Sequence, residues 1–570
     1  MTFDDITIDV DPILPGDSRH GYIEFPVVIS NSSSDRTHTV SLRFPAPHTG
    51  YAPRYSSYSS WLSDLTRTVT VAPGATLRIP LWQPALPIAG NGLQITIDGV
   101  SPQEPVPLSS LRQDFYSYGR GDRPCILRSS ALGVDPLPVL DNSTKGYGYS
   151  RPSAIADIPV TAWSSNRMAY SRYDGIIMTG NEFRSLGADV SGAIQEYVEC
   201  GGILFLLGSW SIPDRWKECG IGTDSSDIFL LHAGFGTVCS ASESDYQKLG
   251  TDTWETIERR LTSAQQAWSE DASTDYNRIF PVVDETGIPI RGLFLLIFFY
   301  AILIGPVSIF VLSRMKKRIY LLWTVPLLSI ITCGVVFLYA LVVEGWESRA
   351  RADVVTWLDE SSHRAVTIGW AAYYSPLTPA DGFRFAYETE IMTLGVHRYN
   401  APGAGPRSLD WSRDQHLGSN WIMARLPAYF AVRKSETRRE RLALRQTPDG
   451  RMTVMNGLGA PIKRLWLADR SGNYFVGGSI SAGAEGRLSQ DGRISKTETR
   501  IPTNLDKIYR QAWNRSHDLL TADPREELRL GTYLAELEGT PFLENGLSDI
   551  GKNDRSAVVY GLLRGNDREN

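Results

Sequence analysis

Two long apolar runs dominate the pattern of hydrophobic and polar positions. Residues 292–313 read GLFLLIFFYAILIGPVSIFVLS and residues 319–343 read IYLLWTVPLLSIITCGVVFLYALVV, and neither run holds a charged residue. At 1.5 Å per helical residue they reach about 33 and 37 Å, against a hydrocarbon core of about 30 Å. Buried core helices use shorter apolar stretches, so the pattern predicts two membrane-spanning helices. Gly305-Pro306 and Pro326 are tolerated in such helices, and Tyr320, Trp323, Tyr339 and Trp346 lie near the run ends, where aromatic belts form. The link between the runs carries Arg314, Lys316, Lys317 and Arg318. So short a link makes an antiparallel hairpin, and the positive-inside rule puts its cationic tip in the cytoplasm. Both flanks then lie outside, N-out and C-out, in a cell membrane. An exported N-terminal flank of this size calls for a leader, yet MTFDDITIDVDPILPGD has no basic or apolar leader region. The expectation is a signal absent from this start, with reversed topology as the alternative.

Outside the runs the periods are shorter. Residues 1–115 show alternating stretches at 6–10, 21–30, 37–44, 68–71, 75–82 and 93–97, punctuated by Pro15-Gly16 and Pro73-Gly74, which predicts an Ig-like β-sandwich. Tyr51, Tyr55, Tyr58 and Trp61 fall in a long connection, expected to pack on its own domain, with a binding loop as the alternative. Over 120–245 the pattern turns to α/β. An apolar run at 174–180, an amphipathic helix at 190–200 and an apolar strand at 203–208 make a βαβ unit. Ligands of parallel sheets bind at the carboxyl ends of the strands, so Asn181, Glu182, Ser209 and Trp210 are the candidate ligand pocket. Residues 246–290 read as a helical connector and 352–500 as a β-rich domain. Residues 501–570 read as a helical tail, helical over 504–538, with a final strand. The whole is a multi-domain α+β membrane protein. The basic run 433–445 lacks interleaved aromatics and reads as a solvated hairpin, with anionic lipid contact as the alternative.

The phrases YDGIIMTGNEFRSL (173–186) and VSGAIQEYVECGGILFLLG (190–208) resemble the class I glutamine-amidotransferase-like, flavodoxin-like domain. Together with RGLFLLIFFYAILIGPV (291–307) and TYLAELEGTPFLENGL (532–547), the plan resembles uncharacterised bacterial double-transmembrane proteins carrying such a domain. The resemblance implies a flavodoxin-like fold. It brings no established activity, and members usually begin with a signal peptide. Amidotransferases use a Cys on a strand-to-helix elbow with His and Glu partners. Here Ser209 is the nearest counterpart, without a G-x-S-x-G frame, Cys200 ends a helix, and His232 is the next histidine.

Composition narrows the functions. Lys and Arg number 57 and Asp and Glu 63, so a net charge of −6 gives no general attraction to nucleic acid. No P-loop, HExxH or calcium-loop pattern occurs, so no cofactor or metal is called. Cys219 and Cys239 are a candidate disulfide, and Asn31, Asn142 and Asn514 head N-x-S/T triplets. Charge-free spans argue against a transporter. The expectation is a non-enzymatic, membrane-anchored binding or envelope-assembly protein, with the bilayer and an envelope protein as partners and no nucleic acid. A hydrolase or amidotransferase-like enzyme and a ligand-sensing envelope component are the alternatives.

Overall fold

The computed structural model describes residues 2–45, 60–107, 124–137, 153–217, 219–268, 276–283, 290–315, 320–344, 347–394, 405–447, 451–494 and 524–563, apart from positions 12, 16–19, 87, 89–91, 102–104, 134, 136 and 224–227. Tyr51, Tyr55, Tyr58, Asn142, Asn514, Lys316, Lys317, Arg318 and Trp346 lie outside them. The chain is mixed α+β at 44% strand and 22% helix, so sheets carry most of its order.

A four-stranded sheet contains Tyr22–Asn31 and Thr76–Pro84, and a seven-stranded sheet contains His38–Phe44 and Ser60–Val71. Alternation in these strands buries Val27, Ile29, Val40, Leu42 and Leu65, and the Phe25 and Phe44 rings meet between the sheets with centroids 5.1 Å apart. The second sheet is completed from the far side of the apolar helices by Phe383–Phe385, Gln415–Leu417 and Gly405–Asp410. Gly405–Asp410 runs parallel to Ser60–Val71, with Gly405 opposite Ser60 and Asp410 opposite Thr66. Next to it, Trp411 is fully buried, donating Nε1 to the Trp82 carbonyl at 2.9 Å and its backbone N–H to that of Thr66 at 2.8 Å. Part of the expected 352–500 domain is thus woven into the N-terminal sandwich.

The α/β region forms its own sheet. Ser153–Ile155, Ile126–Arg128, Gly175–Thr179, Ile203–Leu207 and Gly236–Ala241 lie side by side in that order, all parallel. Phe229–Ala233 and Gly220–Thr223 extend it antiparallel. Ile203–Leu207 is buried throughout, as a strand covered on both faces must be.

An eleven-stranded sheet occupies the C-terminal part. Arg349–Asp359 pairs antiparallel with Arg364–Tyr374 and parallel with Lys552–Leu562. Thr532–Glu538, expected as helix, is a strand between Lys552–Leu562 and Ile462–Ala468. Its Tyr533, Leu534, Ala535 and Leu537 are all buried, so both faces are covered and the two-residue period that marks a half-exposed strand is lost. The basic run also differs from expectation. Its two strands, Ala428–Thr437 and Arg441–Gln446, lie far apart in the sheet order and make no hairpin.

Ile290–Ile302 continues through a π-turn, Leu303–Val307, into Ser308–Arg314. The irregular turn falls at Pro306, which has no backbone N–H to give. A second helix spans Leu321–Glu344. Both expose large apolar side chains, with Phe294 70% and Leu322 77% exposed. Among the described residues one helix, Ile297–Arg314, is long and apolar enough to cross a membrane, and the apolar stretch Leu322–Leu338 is shorter. Ahead of the first helix, Tyr276–Ile279 docks on the eleven-stranded sheet, with Tyr276 and Phe280 each 5.7 Å from the Trp370 ring. Arg351, just beyond the second helix, stacks on Phe280 and donates to the Pro281 carbonyl at 3.1 Å.

Candidate functional site

In the parallel sheet the strand order reverses between Ile126–Arg128 and Gly175–Thr179, and this is where open α/β sheets leave a crevice at their carboxyl ends. Glu182 stands at it. Its Oε2 accepts from the Thr179 N–H at 2.9 Å, the Thr179 hydroxyl at 2.9 Å and the Ser129 hydroxyl at 2.8 Å, while its own N–H donates to Thr179 Oγ1 at 3.1 Å. This is a capping box, which starts the helix Gly180–Ser185 by satisfying backbone donors that have no partner in the helix. Ser129 belongs to the group but was not singled out from the sequence, because nothing local says which strand lies beside 175–179. The spacing Thr179-x-x-Glu182 was the available signal for the cap.

Asn181 is exposed and accepts from Arg184. A Cβ on Gly180 would lie 2.4 Å from the Ser209 carbonyl oxygen, so the ends of Gly175–Thr179 and Ile203–Leu207 touch and bring all four predicted residues to one edge. Trp210 packs edge-on against Phe183 and Phe229 at 6.2 Å each, and Phe183 stacks on buried Trp216. Aromatic rings therefore fill the space beside Ser209, while Ser209 itself faces solvent. The edge offers neutral hydrogen-bonding groups, Asn181 and Ser209, suited to a polar ligand or a peptide backbone.

A base for Ser209 is not close by. His232 is opposite Thr237, and Thr237 is opposite Ile203 at the start of the strand whose end precedes Ser209. At about 3.3 Å per residue this separates the two by roughly 20 Å along the strand. His232 bonds Thr237 Oγ1 at 3.1 Å, and burial, helped by Arg260 and Arg529, pushes its pKa down to about 4. Cys200 is buried at the end of its helix, and burial raises its thiol pKa, which leaves it a weak nucleophile. Cys219 and Cys239 form no disulfide, contrary to the candidate pairing. They pack in different clusters, Cys239 with Phe205 and Trp254 and Cys219 beside Cys200 and Trp357. Asn31 is buried and its amide donates to the Arg36, Val71 and Ala72 carbonyls, so its triplet is closed to modification in the fold.

A second polar constellation lies where three bodies meet, the N-terminal sandwich, the α/β region and the eleven-stranded sheet. His20 Nε2 is 2.9 Å from Asp174 Oδ1, and its Nδ1 is 3.0 Å from the Ser171 carbonyl. Glu390 takes Arg433 Nε at 2.7 Å and a second bond from Arg433 Nη2, and Arg167 Nη1 lies 3.2 Å away. Arg433 also reaches the Ser171 carbonyl at 2.9 Å. Burial would raise the Glu390 carboxyl, but the charge and hydrogen bonds of Arg433, with Arg167 and His20 behind them, bring it below its ordinary value. Tyr22 joins the same junction, accepting from Gln415 Nε2 at 2.5 Å and donating to the Ile391 carbonyl at 3.2 Å. Arg433 and Lys434 are buried here and ion-paired, so the start of the basic run is not solvated. These groups are spent on one another, and the constellation holds the bodies in register. Among the described residues no group of three or more His, Cys, Asp or Glu is placed to hold a metal ion. No protein-family model matches the chain, and no curated protein matches it.

Proposed function

We propose that this chain is a non-enzymatic, membrane-anchored binding or assembly protein, held by a two-helix hairpin, with its folded body on one side of the bilayer. The observation that carries the reading is the Gly405–Asp410 strand, parallel to Ser60–Val71. Strands from both sides of the apolar helices share one sheet, and a sheet cannot be shared across a membrane, so a hairpin is the arrangement compatible with insertion. The contact of Phe280 and Pro281 with Arg351 supports it, because the chain entering the first helix and leaving the second meets at one spot. The exposed apolar flanks of both helices support lipid as their surroundings. The cationic link at 314–318 favours an outer-side body.

The five parallel strands of the 126–241 sheet follow the 2-1-3-4-5 order of flavodoxin-like folds, with an antiparallel pair added at one edge, which supports the amidotransferase-like resemblance as a matter of architecture. The aromatic filling beside Ser209 and the distant His232 favour a surface that binds over one that catalyses. Envelope proteins are the partners this reading expects at the edge formed by Asn181 and Ser209.

The test is topology. Single cysteines at Ala72, Lys316 and Arg439, in a background with the native cysteines replaced, are exposed to a membrane-impermeant thiol reagent on intact cells. Labelling at 72 and 439 but not 316 is expected. Labelling at 316 alone turns the body to the cytoplasm. Opposite results at 72 and 439 would refute the hairpin.

A further inference from the structure

Outside the two apolar helices and their turn, three large apolar side chains stand exposed among the described residues: Val100, Met455 and, most of all, Leu377 at 65%. Leu377 has a particular address. Arg349 is opposite Tyr374 on one side and Lys552 on the other, so one end of the eleven-stranded sheet carries all three. The second helix ends at Glu344, five residues before Arg349, a reach of at most about 17 Å. Leu377 follows Tyr374 by three residues, and Ser375 Oγ lies 3.1 Å from Ser348 Oγ, four residues past the helix end.

The loop is held in place. Ser375 Oγ donates to the Leu377 carbonyl at 2.6 Å, the Arg425 N–H donates to the Ser375 carbonyl at 2.8 Å, and the Ala424 N–H donates to Thr378 Oγ1 at 3.3 Å. Pro376 and Pro379 flank the leucine and limit its backbone further. Lone exposed leucines are common on protein surfaces. This one is held outward by a braced loop, on the end of the body from which an apolar helix departs.

We propose that Leu377 inserts into the lipid–water interface, so that this end of the sheet rests directly on the bilayer. The inference rests on the anchoring proposed above. Insertion of a leucine is driven by its apolar surface, so the contact does not require anionic lipid.

Nitroxide labels on Leu377→Cys, Ile330→Cys and Val100→Cys in the full chain, in phosphatidylcholine nanodiscs and with the native cysteines replaced, test it. Ile330 is in the second helix and Val100 at a turn of the N-terminal sandwich. The expected result is an oxygen-to-nickel accessibility ratio at 377 several-fold above that at 100 and below that at 330, unchanged when anionic lipid is added. A ratio at 377 equal to that at 100, with 330 still lipid-exposed, overturns the inference and leaves the anchoring intact. A water-like ratio at 330 as well overturns both. Nickel exclusion at 377 without oxygen enrichment means that protein covers the leucine, and also overturns it.

Discussion

Replacing Glu390 with glutamine should destabilise the protein by about 3–5 kcal/mol, because it removes one partner from a buried ion cluster. Glu390, Arg433 and Arg167 have side chains only 3–4% exposed, and the carboxylate sits between the two guanidinium groups. Glutamine fills the same volume and offers one acceptor oxygen, but no countercharge. Two cations then remain out of water, and the amide NH2 faces guanidinium donors. The assay is urea unfolding of the purified protein by tryptophan fluorescence, comparing Glu390→Gln, Arg433→Gln and the double variant. The double variant should cost at least about 2 kcal/mol less than the sum of the singles, since it removes an uncompensated charge along with its partner. The pH limb gives a second check. A carboxyl held below its ordinary value contributes stability that is present above the unfolded pKa and lost as pH falls through the folded one. The parent should therefore lose stability below about pH 4.5 more steeply than Glu390→Gln does. A cost under about 1 kcal/mol, or strict additivity, would refute the reasoning and mean that the cluster is wet or unpaired.

Gly21 has φ +73° and a Cβ there would lie 2.4 Å from the Arg172 backbone nitrogen, whereas Gly74, at φ +67°, has nothing within 4 Å. Gly21→Ala should abolish folding or cost several times the roughly 1 kcal/mol strain of Gly74→Ala, read from soluble yield and thermal melting. Burial raises the Glu24 pKa to about 7, despite a hydrogen bond from Ser164 and the charge of Arg78. A raised carboxyl penalises the fold above its folded pKa and not below its unfolded value of about 4.5, so Glu24→Gln should stabilise by up to about 3 kcal/mol at pH 8 and by almost nothing at pH 4. An equal effect at both pH values would contradict this. Thr179→Ala removes the cap hydroxyl and should cost about 1–2 kcal/mol in the same unfolding assay, while Ser209→Ala should leave stability within about 0.5 kcal/mol.

The apolar runs, the helix at 188–199 and the buried strand at 203–207 were legible because each is a local pattern. Residues i, i+2 and i+4 report the period, and neighbours in sequence are neighbours in space. The four residues 181, 182, 209 and 210 could be named together because carboxyl ends of parallel strands are adjacent. Their roles were less visible. Glu182 is occupied by its own helix cap, and Trp210 by Phe183 and Phe229, contacts that depend on what lies across the edge.

Which strand pairs with which was not written in any local pattern. Gly405–Asp410 alternates as a strand would anywhere, and nothing within it points to Ser60–Val71 across two apolar helices. Thr532–Glu538 lost its period because the sheet covers both its faces, and its helical reading followed from that loss. His20, Asp174, Glu390 and Arg433 are ordinary polar residues along the chain, and burial makes them a single cluster. Hydrophobic period sets what an element is, through contacts a few residues apart. Long-range pairing and desolvation decide what the element is next to and which charges must find one another, and those depend on the whole chain closing at once.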